Sequence, residues 1–162
     1  MATASLIVQA IRHFLTLSDR SLTQPQGIFP AVQSTAAAGP DQIVLYCAAD
    51  LVLTTVHVRT GADVSADRSQ LSPPGHSAEW TVVFDDVVTF TTGQLALIPI
   101  EMDGPPVPDM SLAPGAHRVV IATRGGREAA QMEEDRIDRI NDGRSDEGLA
   151  LGPEEWLVDI HA

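Results

Sequence analysis

Gln42-Ile43-Val44-Leu45-Tyr46-Cys47-Ala48-Ala49-Asp50-Leu51-Val52-Leu53-Thr54-Thr55-Val56-His57-Val58-Arg59 decides the reading of the fold. Two apolar runs, 42–48 and 51–59, are parted by a short step at Asp50, the pattern of a hairpin. In the second run Leu51, Leu53, Thr55, His57 and Arg59 alternate with Val52, Thr54, Val56 and Val58. A two-residue period puts the valines on one buried face and predicts that the other face grows wetter toward Arg59.

The same texture continues outward. Glu79–Phe84, Val87–Thr92 and Gln94–Ile100 read as three short strands, with Asp85-Asp86 and Gly93 as turns between them. Pro105, Pro106 and Pro108 should end that run, because proline cannot donate to a ladder. Pro114-Gly115 then marks a turn into a strand over His117–Thr123. Trp156, Val158 and Ile160 alternate with Leu157, Asp159 and His161 in a closing strand over 154–162. Residues 22–40 and 60–77 read as loops. Toward the start, Ser5–Leu17 fits helical spacing behind a Ser5 cap, but its alternation and β-branched content favour a strand.

One segment differs in kind. Residues 127–141 hold good helix formers with Gly143 as a stop, and their apolar side, Ala130, Ile137 and Ile140, is thin. The expected architecture is therefore mainly β. We expect one antiparallel β-sandwich domain over residues 1–162, with about seven to eight strands and one short surface helix near 127–141, inside an acidic excursion at 124–152.

Composition narrows the function. The chain carries 22 acids against 10 bases, a formal charge of −12, and every base is arginine. Such a balance disfavours direct nucleic-acid and anionic-membrane binding and favours a basic protein partner. Cys47 is the single cysteine and sits in an apolar run, so no internal disulfide can form and core packing is expected. No run approaches the ~20 apolar residues that span a bilayer. The apolar stretch 6–17 is broken by Gln9, Arg12 and His13, which argues against a signal peptide and for a cytoplasmic chain.

Catalytic and metal motifs do not emerge. His13, His57, His76, His117 and His161 form no HxH or HExxH pattern, and no CxxC or GxSxG occurs. His57 and His117 fall in strands that could meet across a sheet. Gly125-Gly126 lacks either phosphate-loop pattern and reads as a turn. No catalytic residue, metal site or cofactor is expected, and hence no enzyme. What stands out is acid: Glu128, Glu133, Glu134, Asp135, Asp138, Asp142, Asp146 and Glu147 crowd into residues 128–147. A solvated helix face with partners such as Asp135–Arg139, each contributing about 0.3–0.5 kcal/mol, explains them blandly. An anionic surface for a basic partner explains them functionally.

Two stretches carry a resemblance. Leu112-Ala113-Pro114-Gly115-Ala116-His117-Arg118-Val119-Val120-Ile121-Ala122-Thr123-Arg124-Gly125-Gly126-Arg127 and Glu154-Glu155-Trp156-Leu157-Val158-Asp159-Ile160-His161-Ala162, with the opening Leu6-Ile7-Val8 to His13-Phe14, resemble the bacterial Nin/ComJ family, competence proteins that inhibit the DNA-entry nuclease. That resemblance implies a β-sandwich acting as a nuclease inhibitor or toxin-immunity protein. A structural or adaptor subunit of a larger bacterial assembly is the alternative.

Overall fold

The computed structural model describes residues 2–10, 12–22, 35–61, 79–99, 106–144 and 148–161. Among these, ten strands and one helix follow in the order β1 (Ala2–Gln9), β2 (Phe14–Asp19), β3 (Ala36–Gly39), β4 (Gln42–Tyr46), β5 (Leu53–Thr60), β6 (Thr81–Phe90), β7 (Gln94–Pro99), β8 (Pro106–Ser111), β9 (Gly115–Arg124), α1 (Gly126–Asn141) and β10 (Leu151–His161). The first sheet runs β1-β5-β10-β9-β6 and the second β3-β4-β2-β7-β8. The chain is mainly β, as its alternation implies, with the helix one residue longer than expected.

Between the sheets lies an aliphatic core. Leu15, Leu17, Ile43, Leu45, Leu95 and Leu97 of the second sheet pack against Val56, Val58, Val119, Ile121, Val158 and Ile160 of the first, around fully buried Trp156 and Phe90. These positions are spaced by two along each strand, so one face of every strand supplies the core. Burying each such side chain stabilises the fold by roughly 1.5–3 kcal/mol.

Several local expectations are corrected. The 42–59 stretch is not a hairpin: β4 pairs with β2 and β3, while β5 pairs with β1 and β10 in the other sheet. Residues 47–52 are thus a crossover between layers. Segment 5–17 is likewise divided between β1 and β2 in different sheets, broken where Arg12 and His13 adopt left-handed backbone with φ of 52° and 69°. Asp85-Asp86 is no turn but the middle of β6, because Arg118 on β9 donates two bonds to the Asp85 carboxylate at 2.8 and 2.7 Å. The prolines near 106 do not end the sheet: β8 is its edge strand, where a missing N–H costs least. Ala36–Gly39, within the expected loop, pairs with β4. The ladders are not wholly antiparallel either, since β5 and β10 run parallel. Residues 23–34 and 62–77 of the expected loops lie outside the described residues.

Where β2 ends, Asp19 ties the layers. Its carboxylate accepts the N–H of Ser21, of Thr92 at 2.7 Å and of Gly93 at 2.6 Å, together with the Thr92 hydroxyl. Gly93 is required there: its φ is 70°, and a Cβ would lie 2.1 Å from the Leu112 carbonyl oxygen. Burial pushes the Asp19 carboxyl up, but the bonds from Thr92 and Ser21 outweigh it and hold the group at about 2 against an ordinary 3.8. The folded state therefore favours the ionised form. The resulting stability is present in full above about pH 4 and is lost as the pH falls toward 2. Urea unfolding midpoints for the wild type and Asp19→Asn, taken from pH 5 to 2, should converge over that window, the wild type being the more stable at pH 5.

Candidate functional site

The helix is aimed by its first residues. Gly125 turns β9 into α1 with φ 72°, and a Cβ there would lie 2.0 Å from the Pro153 carbonyl oxygen. Gly126 faces Ala48 and the Glu154 carboxylate. With a carboxylate and backbone filling the space, the two glycines serve the turn, as their sequence suggests.

The inward stripe of α1 is not the expected one. Ile137 and Ile140 are exposed, while Ala129, at i, is buried against Ala49 and Val52, with Met132 packed beside it. Glu133, at i+4, places one carboxylate oxygen 2.8 Å from the Asp50 amide nitrogen and 2.9 Å from that of Leu51. Arg136, at i+7, donates to the carbonyls of Leu51 at 2.7 Å and Gly148 at 2.8 Å. Spacing of 3.6 residues per turn sets these groups on one face. The sequence gives no hint that charged side chains would be the docking groups.

The acidic residues divide accordingly. Glu128, Glu134, Asp135, Asp138 and Asp142 are exposed, as are Arg127 and Arg139. Glu133 instead holds the crossover, and Asp146 and Glu147 lie outside the described residues. Asp135 accepts from Gln131 at 3.1 Å, and among the described residues no ion pair joins it to Arg139. The ion pairs formed by described residues lie away from the exposed side of the helix.

A second concentration of charge lies on the outer face of the first sheet. Strand register places Arg59 beside Asp159, Arg124 beside Glu155 and Ser5 beside His57. Arg59 forms a fork with Asp159 at 2.6 and 2.8 Å. One oxygen of Glu155 accepts from Arg124 at 2.8 Å and faces His57 Nε2 at 3.1 Å, while Ser5 Oγ lies 2.7 Å from His57 Nδ1. The Arg124 guanidinium sits 4.4 Å from the centroid of the Trp80 ring. This face was expected to be wet at Arg59, yet Arg59 is only 5% exposed and Asp159 2%. Opposite charges in direct register let it be buried. Sequence spacing could not show this, since Glu155 and His57 stand 98 positions apart.

The remaining candidates are structural. His117 points inward beside Phe90, with its ring nitrogens 3.1 and 2.7 Å from the carbonyl oxygens of His161 and Ala113, so it does not meet His57. His76 lies outside the described residues. Cys47 is fully buried; burial and the charge of Glu154 push its thiol well above its ordinary value, the opposite of a reactive cysteine. Glu154 accepts from the Ala48 amide at 2.9 Å and the Thr54 hydroxyl at 3.3 Å. Burial lifts its carboxyl to about 7 in spite of those bonds. Among the described residues no group of three or more His, Cys, Asp or Glu could hold a metal ion.

No family profile and no curated protein matches this chain. Among solved structures it is similar to one described as crocagin biosynthetic gene J, with a TM-score of 0.46 and 14% identity over 99% of this chain and 98% of that one. A likeness so distant bears on neither charged surface.

Two outcomes follow from these contacts. Glu133→Ala should lower the unfolding free energy by roughly 1–3 kcal/mol by stranding two amides, whereas exposed Glu134→Ala should change it by less than about 0.5 kcal/mol. For Glu154, the folded protein keeps a proton that the unfolded chain releases, so stability declines as pH rises between 4.5 and about 7. Glu154→Gln should remove that decline, read as a flatter dependence of thermal midpoint on pH.

Proposed function

We propose that this chain is a binding protein, an inhibitor or immunity protein that presents the outer face of α1 to a basic partner such as a nuclease or toxin. The observation that carries this reading is the division of labour on the helix. Glu133 and Arg136 bolt it to the crossover, leaving Glu128, Glu134, Asp135, Asp138 and Asp142 exposed with no ion pair among the described residues. Anionic groups on a rigid support cost little ordering on binding and steer a cationic partner into contact. Carboxylates spaced along a helix can occupy the cationic groove where a DNA-degrading enzyme holds phosphates. The resemblance of the chain's ends to the Nin/ComJ family supports the same class of function.

The working site is the cytoplasm in this reading; among the described residues no helix is long and apolar enough to cross a membrane. The alternative, an adaptor subunit, draws on Ile7 and Val87, 60% and 62% exposed on the two edge strands of the first sheet.

Calorimetric titration against the products of the neighbouring genes separates these readings. Tight binding at low salt is expected, weakened by added salt and by at least roughly tenfold in Glu134→Gln/Asp135→Asn/Asp138→Asn/Asp142→Asn. Absence of a complex at low salt would remove the inhibitor reading, and a complex indifferent to salt would favour the adaptor.

A further inference from the structure

Ser5 stands exposed in the middle of edge strand β1, with its hydroxyl 2.7 Å from Nδ1 of His57, its direct cross-strand neighbour. Nε2 of the same ring lies 3.1 Å from the Glu155 oxygen that Arg124 also bonds at 2.8 Å. Hydroxyl, imidazole and carboxylate thus form one row across β1, β5 and β10. Its serine end is exposed, and its glutamate end is 5% exposed. Charged groups near the row are Glu155 and Asp159 from β10, Arg59 from β5 and Arg124 from β9.

The partners dictate where the protons sit. A carboxylate oxygen already accepting from a guanidinium can only accept, so in the neutral imidazole Nε2 carries the ring proton and Nδ1 offers its lone pair. The Ser5 hydroxyl then donates to Nδ1. Such a row has the parts of an activated nucleophile: a hydroxyl, a base within hydrogen-bond reach, and a third group that fixes the base. Stability alone does not account for it, because ion pairs buried on a sheet face gain little over apolar residues of the same size.

We propose that Ser5 is a nucleophilic serine with His57 as its general base, held by Glu155 and Arg124 as positioning residues, and that it attacks carboxylic esters arriving from the open side of β1. In the first half-reaction the Oγ–carbon bond forms, the hydroxyl proton passes to Nδ1, and the imidazolium returns it to the departing alcohol as the ester bond breaks. In the second, water gives its proton to Nδ1 and attacks the acyl carbon. The acid leaves, and the proton goes back to Oγ. This site is separate from the outer face of α1 and does not depend on the binding function.

A fluorophosphonate probe tests it on the full chain. The Oγ–phosphorus bond forms as phosphorus–fluorine breaks, with fluoride leaving and the proton moving to His57. One equivalent is expected per chain, mapped to Ser5 by peptide mass spectrometry and absent from Ser5→Ala, whose thermal midpoint should match the wild type. His57→Ala should slow labelling by about a hundredfold or more and recover it in added imidazole. A far-downfield imidazole proton resonance, lost in Glu155→Gln together with fast labelling, would mark Glu155 as the group that fixes the ring. No incorporation in the wild type, or incorporation that survives Ser5→Ala, overturns the proposal, even if the His57 or Glu155 variants fail to fold.

Discussion

The organisation of this molecule hangs on how the chain satisfies its own amides where it changes layers. Between β4 and β5 the backbone leaves one sheet before joining the other, so residues 47–52 have no ladder to bond. Buried amides left in that condition would each cost roughly 1–3 kcal/mol. Distant groups take them up: Glu154 accepts from Ala48, Glu133 from Asp50 and Leu51, and the His13 carbonyl from Cys47. An earlier layer change, between β1 and β2, is sewn to the same place, with the His13 backbone amide on the Asp50 carboxylate and the Gln9 side-chain amide on the Asp50 carbonyl. The orientation of α1 follows from this knot, since its inward carboxylate and guanidinium are two of the threads.

Charge is sorted by location. Arginine supplies all 10 bases, and Arg59, Arg118, Arg124 and Arg136 are committed to partners within the fold. A planar guanidinium can grip a carboxylate with two parallel bonds, as at Asp159 and Asp85, which an ammonium cannot do. The exposed helix carboxylates Glu128, Glu134, Asp135, Asp138 and Asp142 form no ion pair among the described residues and outnumber the exposed Arg127 and Arg139 beside them. The same sorting leaves the middle of the first sheet's outer face, at Arg59, Arg124, Glu155 and Asp159, buried and ionic, where a simple alternation rule anticipates water.

What could be read in advance, and what could not, follows from the range of the forces involved. Period-two alternation at Leu53–Thr60 and Trp156–Ile160 is local, and both strands were legible. So was the helix, from residue propensities and Gly143. Asp85-Asp86 reads as a turn because its satisfaction by Arg118 comes from 33 residues away. Asp50 resembles a hairpin step because nothing local distinguishes a strand that folds back from one that changes sheets. The exposed carboxylates of the helix were visible by type, but Glu133 could not be separated from Glu134 while the apolar stripe was assigned to Ile137 and Ile140. Ser5, His57 and Glu155 meet only through strand register, beyond the reach of motif spacing.

The place of β10 bears on how the molecule is made. It follows the other nine described strands in chain order, yet it lies at the centre of its sheet, between β5 and β9. Until residues 151–161 leave the ribosome, β1-β5 and β9-β6 are two separate ribbons, and neither Arg59 nor Arg124 has met its carboxylate. The first sheet can close only once this late strand is threaded into the slot between β5 and β9. Until then the nascent chain carries two bare ladder edges, on β5 and on β9.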